Sequence, residues 1–510
     1  MGPAPTVASR LRERANRSPD RIYAAGIEGE LSFPSGSWVY HCGIPCGRVR
    51  RSQAELLSQR LENQPTGPVS DGRAGRLASG ADIMQELNIA LVTIGGLTLV
   101  LSLVAGLIRS KVYFLSEPLA ALILGIVIGP LGLGLIRLSD WADPFTILEQ
   151  FARLTVGLAV MGAALRLPQR YFRKHTRSMA VVLVPGMIGM WLVSGGLVYL
   201  ILDVPLWIAL LIGAIVTPTD PVLAGTIVTG HTAAQYIPAP IRNLLTGESG
   251  ANDGLAYPLV FFPLLVLQYP PQRVLSEWLL SALLWEVGAA VFVGAVVGAA
   301  AGWIERESRN HDFLEETSLL SVTVALTFAV LGGVKLLGSD GILAAFAAGL
   351  LFNQFADATD EADEQKVQET VLRLFTFPIF VFFGLELPVD QWVSLGWAGI
   401  VLAAGILLLR RIPMMVVFRQ VVPSVQSDRD ALFAGWFGPI GIAALFYATV
   451  AHRILGAEII WSTASLVIAS SVLVHGITAT PVTKLYGNVI DRVQPESSDG
   501  TDQSSVFTEG

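Results

Sequence analysis

The five residues TPTDP, 217–221, interrupt an apolar run, 205–229, that is otherwise long enough to cross a lipid bilayer. Each proline lacks an amide donor and pushes the residue before it away from helical geometry, so Pro218 and Pro221 break the helix. Broken backbone at membrane depth persists only where protein or a water-filled cavity satisfies its freed amides and carbonyls. A second break, GWFGPIG at 435–441, lies in a later apolar run with Gly438 and Pro439 at its centre. Either break alone is as readily a mere kink, since proline and glycine are common in membrane helices. Two breaks in matching runs, one carrying the carboxylate of Asp220, point instead to a midplane site for an ion or a substrate.

The whole chain fits that setting. Of its 510 residues 52% are hydrophobic and 15% charged, whereas soluble domains carry about 25% charged residues. Thirteen runs approach the ~20 residues of a membrane span. They lie near 87–108, 116–136, 145–167, 179–202, 205–229, 240–267, 280–304, 316–337, 339–355, 370–388, 392–417, 430–452 and 458–484. The expected fold is all-α and polytopic. One set of alternate connections is rich in Arg170, Arg173, Lys174, Arg177, Arg242, Arg306, Arg309 and similar residues, while the other holds only Arg137, Arg273, Lys335 and Arg453. By the positive-inside rule the rich set is cytoplasmic, with the N-terminus outside and the C-terminus in the cytoplasm. Two blocks of six spans joined by one linking helix must enter the membrane in opposite orientations. That is the arithmetic of an inverted repeat, in which span 5 with the first break corresponds to span 12 with the second.

Three regions follow. Residues 1–83 are rich in Arg, Pro, Gly and Ser, lack sustained periodicity, and lack the apolar core of a secretory signal. They are expected to be disordered, or not to be translated at all if the start is Met84, just before the first span; a peptide read upstream of residue 84 by mass spectrometry excludes the latter. Residues 84–488 form the transmembrane domain, and the acidic 489–510 read as a disordered cytoplasmic tail. Cys42 and Cys46, in HCGIPC, are the only cysteines, and with one His they are too few for a closed zinc site. No cofactor is implied. The net charge of −7, without a basic face, excludes nucleic acid.

Polar chemistry is concentrated in GESGANDGLAYP, 247–258. On a helix Glu248 pairs with Asn252 and Ser249 with Asp253 at a spacing of four, so the four form one stripe. Gly250, Ala251, Gly254 and Ala256 let a neighbouring backbone approach. The stripe is expected to face the broken span 5 with Thr217, Thr219 and Asp220. Three intramembrane carboxylates, Asp220, Glu248 and Asp253, need compensation. Arg411, in LLLRRIPMM, offers it to Glu248; the alternative leaves Arg410 and Arg411 at a span end, snorkelling to the interface. If Glu248 is paired with Arg411, Asp220 and Asp253 remain as ion- and proton-binding candidates; a carboxylate removed from water is neutralised by a proton or by a cation, and not comfortably by both, which is the logic of an exchanger. Hydroxyls and freed carbonyls of the broken span supply further hard oxygen ligands.

Other polar residues have plainer readings. Asp340, in LGSDGILAAF, is expected to cap a helix. Glu117, Glu149, Arg153, Glu286 and Glu386 fall near span ends, where interfacial anchoring is the default, and Trp191, Trp207 and Trp278 suit interfacial belts or buried packing. Gly247-Glu248-Ser249-Gly250 with His475 also matches the short pattern of rhomboid-like intramembrane serine proteases, but leaves Asp220, Asp253 and both breaks unexplained. A sodium-coupled organic-anion symporter on the same fold is a second alternative.

TPTDPVLAGTIV, IRNLLTGESGANDGLAYP, RRIP, GWFGPIGIAALFYA and VHGITATP, in this order, resemble the signature segments of the monovalent cation:proton antiporters, the sodium/proton exchangers. The resemblance covers most of 87–485 and is nearest in its motifs to the fungal plasma-membrane branch and its prokaryotic relatives. It implies an NhaA-type fold in which spans 4–6 and 11–13 form an ion-carrying core and spans 1–3 and 7–10 a dimerisation domain. It further implies that Asp253 binds the ion and the proton beside Asn252, and that Thr217 and Ser249 add oxygen ligands. Asp220 would sit in the crossover and Glu248 would pair with Arg411. The expected activity is sodium, lithium or potassium against proton, electroneutral, in a homodimer of the plasma membrane, with no enzymatic step. Ile440 stands where many relatives carry arginine, so no role of that arginine transfers.

Overall fold

Proline, serine and aspartate set where the helices begin. In the computed structural model Asp143 accepts the amide of Thr146 at 2.8 Å ahead of Pro144, and Ser116 caps the helix that starts at Glu117. The structure describes residues 116–311, 321–355 and 361–493, with 92, 95–100 and 102–103. The expectations for 1–83, Cys42, Cys46 and most of the acidic tail fall outside these residues, as does much of the first expected span.

Besides the short helices Tyr171–Lys174 and Gly230–Tyr236, the helices are α1 Glu117–Ile128, α2 Pro144–Arg166, α3 Thr176–Leu202, α4 Leu206–Ile215, α5 Pro221–Val228, α6 Ala239–Gln268 and α7 Pro271–Ser308. They continue as α8 Val322–Leu336, α9 Gly341–Phe352, α10 Glu361–Leu385, α11 Val389–Leu409, α12 Ile412–Phe418, α13 Asp428–Trp436, α14 Ile442–Leu455 and α15 Glu458–Val493. No strand occurs among the described residues. Seven helices are long and apolar enough to cross a membrane: α2, α3, α6, α7, α15, Val367–Leu385 of α10, and Val389–Val421, which takes in α11 and α12. Five shorter apolar helices, α1, α4, α8, α9 and α14, complete the set. The chain is thus a multi-pass membrane protein. All described helices belong to one compact unit.

Small residues set the closest approaches. Gly294 and Gly298, four apart on α7, leave no room for a Cβ against the backbone of Ala344 and Ala348 on α9. Gly125 of α1 and Gly384 of α10 are in similar contact. Where α2 ends, Asn353 Nδ2 donates to the carbonyls of Ala164, Leu165 and Leu167 at 3.2, 3.3 and 2.8 Å, so the end of α9 caps the end of α2. Phe145, Trp141, Phe382, Phe383 and Trp461 pack edge to face around α2, α10 and α15.

Both sequence breaks are present. Residues 216–220 separate α4 from α5, and residues 437–441 separate α13 from α14. They touch: the Asp220 amide donates to the Pro439 carbonyl at 2.9 Å.

Candidate functional site

Four helix ends meet at the two breaks, and each leaves buried backbone groups without an intrahelical partner. The last carbonyls of α4 and α13 are unpaired acceptors, and the first amides of α5 and α14 are unpaired donors. Two side chains, Asp220 and Arg410, reach all four ends. Asp220 Oδ1 accepts the amides of Val222 at 2.6 Å and Leu223 at 3.1 Å, and its Oδ2 accepts the Ile442 amide at 2.5 Å. Arg410 Nη1 donates to the carbonyls of Val216 at 2.6 Å and Thr217 at 2.7 Å, while its Nη2 donates to the Gly438 carbonyl. The signs match the helix dipoles, with the anion at two N-termini and the cation at two C-termini. The glycines of the second break follow from this arrangement. A Cβ on Gly441 would occupy the position of the Asp220 carboxylate, and one on Gly438 that of the Arg411 side chain.

The stripe on α6 is wholly buried, with Glu248, Asn252 and Asp253 at 0% and Ser249 at 2% exposure. Glu248 is paired with Arg411, whose Nη1 and Nη2 donate to Oε1 and Oε2, the second contact at 2.6 Å; Arg411 Nε donates to the Ala434 carbonyl at 3.0 Å. The snorkelling alternative is therefore wrong for both arginines, each only 2% exposed. The cause is local. Arg410 and Arg411 lie between α11 and α12, where the helix is interrupted ahead of Pro413, and turn inward to backbone and carboxylate partners. Sequence reading missed the role of Arg410. Its one signal is that two arginines stand in an apolar run where Glu248 needs only one.

Asn252 joins α6 to the first break. Its Oδ1 accepts the Thr219 amide at 3.1 Å and its Nδ2 donates to Thr219 Oγ1 at 2.8 Å. Thr217 Oγ1 donates to the Gly213 carbonyl at 2.8 Å and Ser249 Oγ to the Thr246 carbonyl at 3.4 Å, so both hydroxyl oxygens keep lone pairs. Asp253 differs from its neighbours. Both its carboxylate oxygens are buried without a hydrogen-bond partner among the described residues, although Tyr447 donates to its backbone carbonyl at 2.7 Å. Behind it, Gly250 and Gly254 lie against Phe346 and Leu343 of α9.

The remaining expectations divide. Asp340 caps α9 as expected, accepting the amides of Ile342 and Leu343. Glu149 in the second turn of α2 pairs with Arg453 near the end of α14, and Glu117 at the start of α1 lies 3.9 Å from Arg373 within α10. Glu286 is instead half-buried and accepts the Tyr257 hydroxyl at 3.0 Å. His475 Nδ1 lies 3.1 Å from Ser471 Oγ and 2.9 Å from the Ser471 carbonyl, and its Nε2 lies 3.0 Å from the Trp436 carbonyl, while Ser249 is engaged by its own helix. The Ser249–His475 pair that the protease reading requires is not formed, and the Ser471 hydroxyl is held by the Ile440 amide in the second break. Both guanidiniums of the crossing are likewise committed, which leaves the symporter reading without a cation for an organic carboxylate among these residues.

A family model described as sodium/hydrogen exchanger, transmembrane, matches residues 99–485. A probable Na(+)/H(+) antiporter of Schizosaccharomyces pombe is 32% identical, over 76% of this chain and 55% of its own length. A second Na(+)/H(+) antiporter of that yeast is 30% identical over 77% of this chain and 89% of the relative, and one of Saccharomyces cerevisiae is 30% identical over 72% and 38%. The chain thus spans only about half the length of several curated relatives it matches. Among solved structures, a sodium proton antiporter from Methanocaldococcus jannaschii at pH 8 superposes with a TM-score of 0.63 at 20% identity, covering 80% of this chain and 99% of that one.

Proposed function

Because this chain belongs to the sodium/hydrogen exchanger family, we propose that it exchanges sodium, lithium or potassium for a proton by alternating access, with the two ions competing for Asp253. One observation carries the reading: Asp253 is the charge of the crossing that no described residue compensates. Three buried carboxylates, Asp220, Glu248 and Asp253, face two buried guanidiniums, Arg410 and Arg411. Asp220 is held by three amides, Glu248 by Arg411, and Arg410 by four carbonyls. One negative charge is left over, and a proton or one monovalent cation neutralises it. Loading the site with either gives the same net charge, so the exchange is one for one and electroneutral. Asn252 holds the break beside Asp253, and Thr217 and Ser249 present hydroxyl oxygens to a dehydrated cation. Asp220 serves the exchange by holding the two breaks together.

The wider assignment follows the resemblance. Helices α3–α6 and α11–α15 move as the ion-carrying core against the others, as halves of an inverted repeat. The protein works as a homodimer in the plasma membrane, with the N-terminus outside and the C-terminus in the cytoplasm.

The test is proton flux in acid-loaded proteoliposomes on adding sodium, lithium, potassium or choline. The expected result is cation-driven alkalinisation of the lumen that Asp253→Asn abolishes and that choline does not elicit. Competition also requires the apparent KM for the cation to rise as the pH of the cation side falls. Undiminished flux in Asp253→Asn, or a KM indifferent to pH, overturns the mechanism.

A further inference from the structure

Two carboxylates outside the crossing have no task in exchange at Asp253. Asp340 is 6% exposed; its Oδ1 caps α9, and its Oδ2 is buried with no partner among the described residues. A helix cap uses one oxygen, so the second is a surplus acceptor. Glu286, in the π-wound part of α7, repeats the pattern: Tyr257 donates to Oε1, and Oε2 is buried without a hydrogen-bond partner among the described residues. Backbone contacts hold the two together. The Asp340 amide donates to the Glu286 carbonyl at 3.3 Å, and Ser339 Oγ donates to the same carbonyl at 2.9 Å.

The pair adjoins Asp253. The first turn of α9 lies against Gly254, where a Cβ would meet the Leu343 backbone, and Tyr257 stands one turn beyond Asp253 on α6. Tyr447 of α14 holds the Asp253 carbonyl and lies within electrostatic reach of Asp340, Asp253, Tyr257 and Glu286. The exposed Lys335 at the end of α8 is the cation within reach of Asp340 and Glu286. The polar groups thus run from half-exposed Glu286 through buried Asp340 to fully buried Asp253.

We infer that Asp340 and Glu286, with the Tyr257 hydroxyl, form a second cation-binding station that holds one monovalent cation between Glu286 and the exchange site at Asp253. Carboxylate and hydroxyl oxygens are the hard ligands a small monovalent cation requires. The station rests on the antiport reading for its place in transport, but its binding is measurable without transport.

Asp340→Asn and Glu286→Gln test it. Asparagine caps helices as well as aspartate does, and glutamine keeps an oxygen for Tyr257, so both remove charge with little change in shape. In proteoliposomes each variant is expected to raise the sodium KM about fivefold or more, by a larger factor than it changes the maximal rate. In detergent, the Asp253→Asn protein is expected to keep a rise in Tm with sodium chloride over choline chloride at equal ionic strength. Adding Asp340→Asn to that protein abolishes it. An unchanged KM in both charge-removed variants, a fall in rate alone, or a sodium effect that survives in the double variant overturns the station. If the wild-type protein shows no cation-driven proton flux, the antiport reading fails, and the detergent experiment still decides whether the station exists.

Discussion

Glu248 and Asp253, five residues apart on α6, are both removed from water, and their surroundings give them opposite consequences. Glu248 is bound by both terminal nitrogens of Arg411, so deleting either partner strands the other charge, a loss of about 3–5 kcal/mol. Glu248→Ala is therefore expected to lower Tm in detergent sharply, and Glu248→Ala with Arg411→Met to recover part of the loss. Asp253 has no such partner among the described residues. Asp253→Asn replaces an uncompensated acid with a neutral side chain of the same shape, and is expected to raise Tm while abolishing transport. A change that is stabilising and inactivating together separates a functional carboxylate from a structural one. At Arg410 the requirement is geometric. A lysine carries the charge but not the planar fork that spans Val216, Thr217 and Gly438, so Arg410→Lys is expected to lower Tm even though no carboxylate loses its partner.

At the scale of elements, the breaks show why one interruption is written in proline and the other mostly in glycine. The first needs amide-free positions around the start of α5, which Pro218 ahead of it and Pro221 as its first residue supply. The second must admit two foreign side chains, Asp220 at Gly441 and Arg411 at Gly438. Gly441→Ala is accordingly expected to reduce both Tm and flux. Gly225→Ala on α5, where nothing lies within 4 Å of the added methyl, is expected to leave flux intact and to match or raise Tm by the ~0.5–1 kcal/mol that alanine gains over glycine in a helix. Thermal unfolding of the two variants side by side checks the contrast.

The same elements show what the amino-acid sequence discloses. The breaks and the stripe are legible because proline and charge stand out against apolar surroundings, whereas the residues alone leave Arg411 open between pairing with Glu248 and snorkelling to the interface. Arg410 is not legible because its partners are carbonyls, which every residue has. Glu286 is not legible because a carboxylate near a span end reads as interfacial until the start of α9 is known to lie against α7.

Across the whole molecule, a mostly apolar bundle carries its few buried charges where helices stop rather than where they run. Asp220 and Arg410 both serve the α4–α5 and α13–α14 pairs, yet their hydrogen bonds go to backbone and not to each other. Each is matched to a direction of the chain, the anion to helix beginnings and the cation to helix ends. An ordinary ion pair tolerates reversal, since exchanging its members restores the attraction. Here reversal cannot rescue: Asp220→Arg with Arg410→Asp would set like against like at all four termini, so the exchanged protein should fare no better than the worse single variant. In this fold charge has an address and an orientation, and polarity along the backbone is inherited by the side chains that close it.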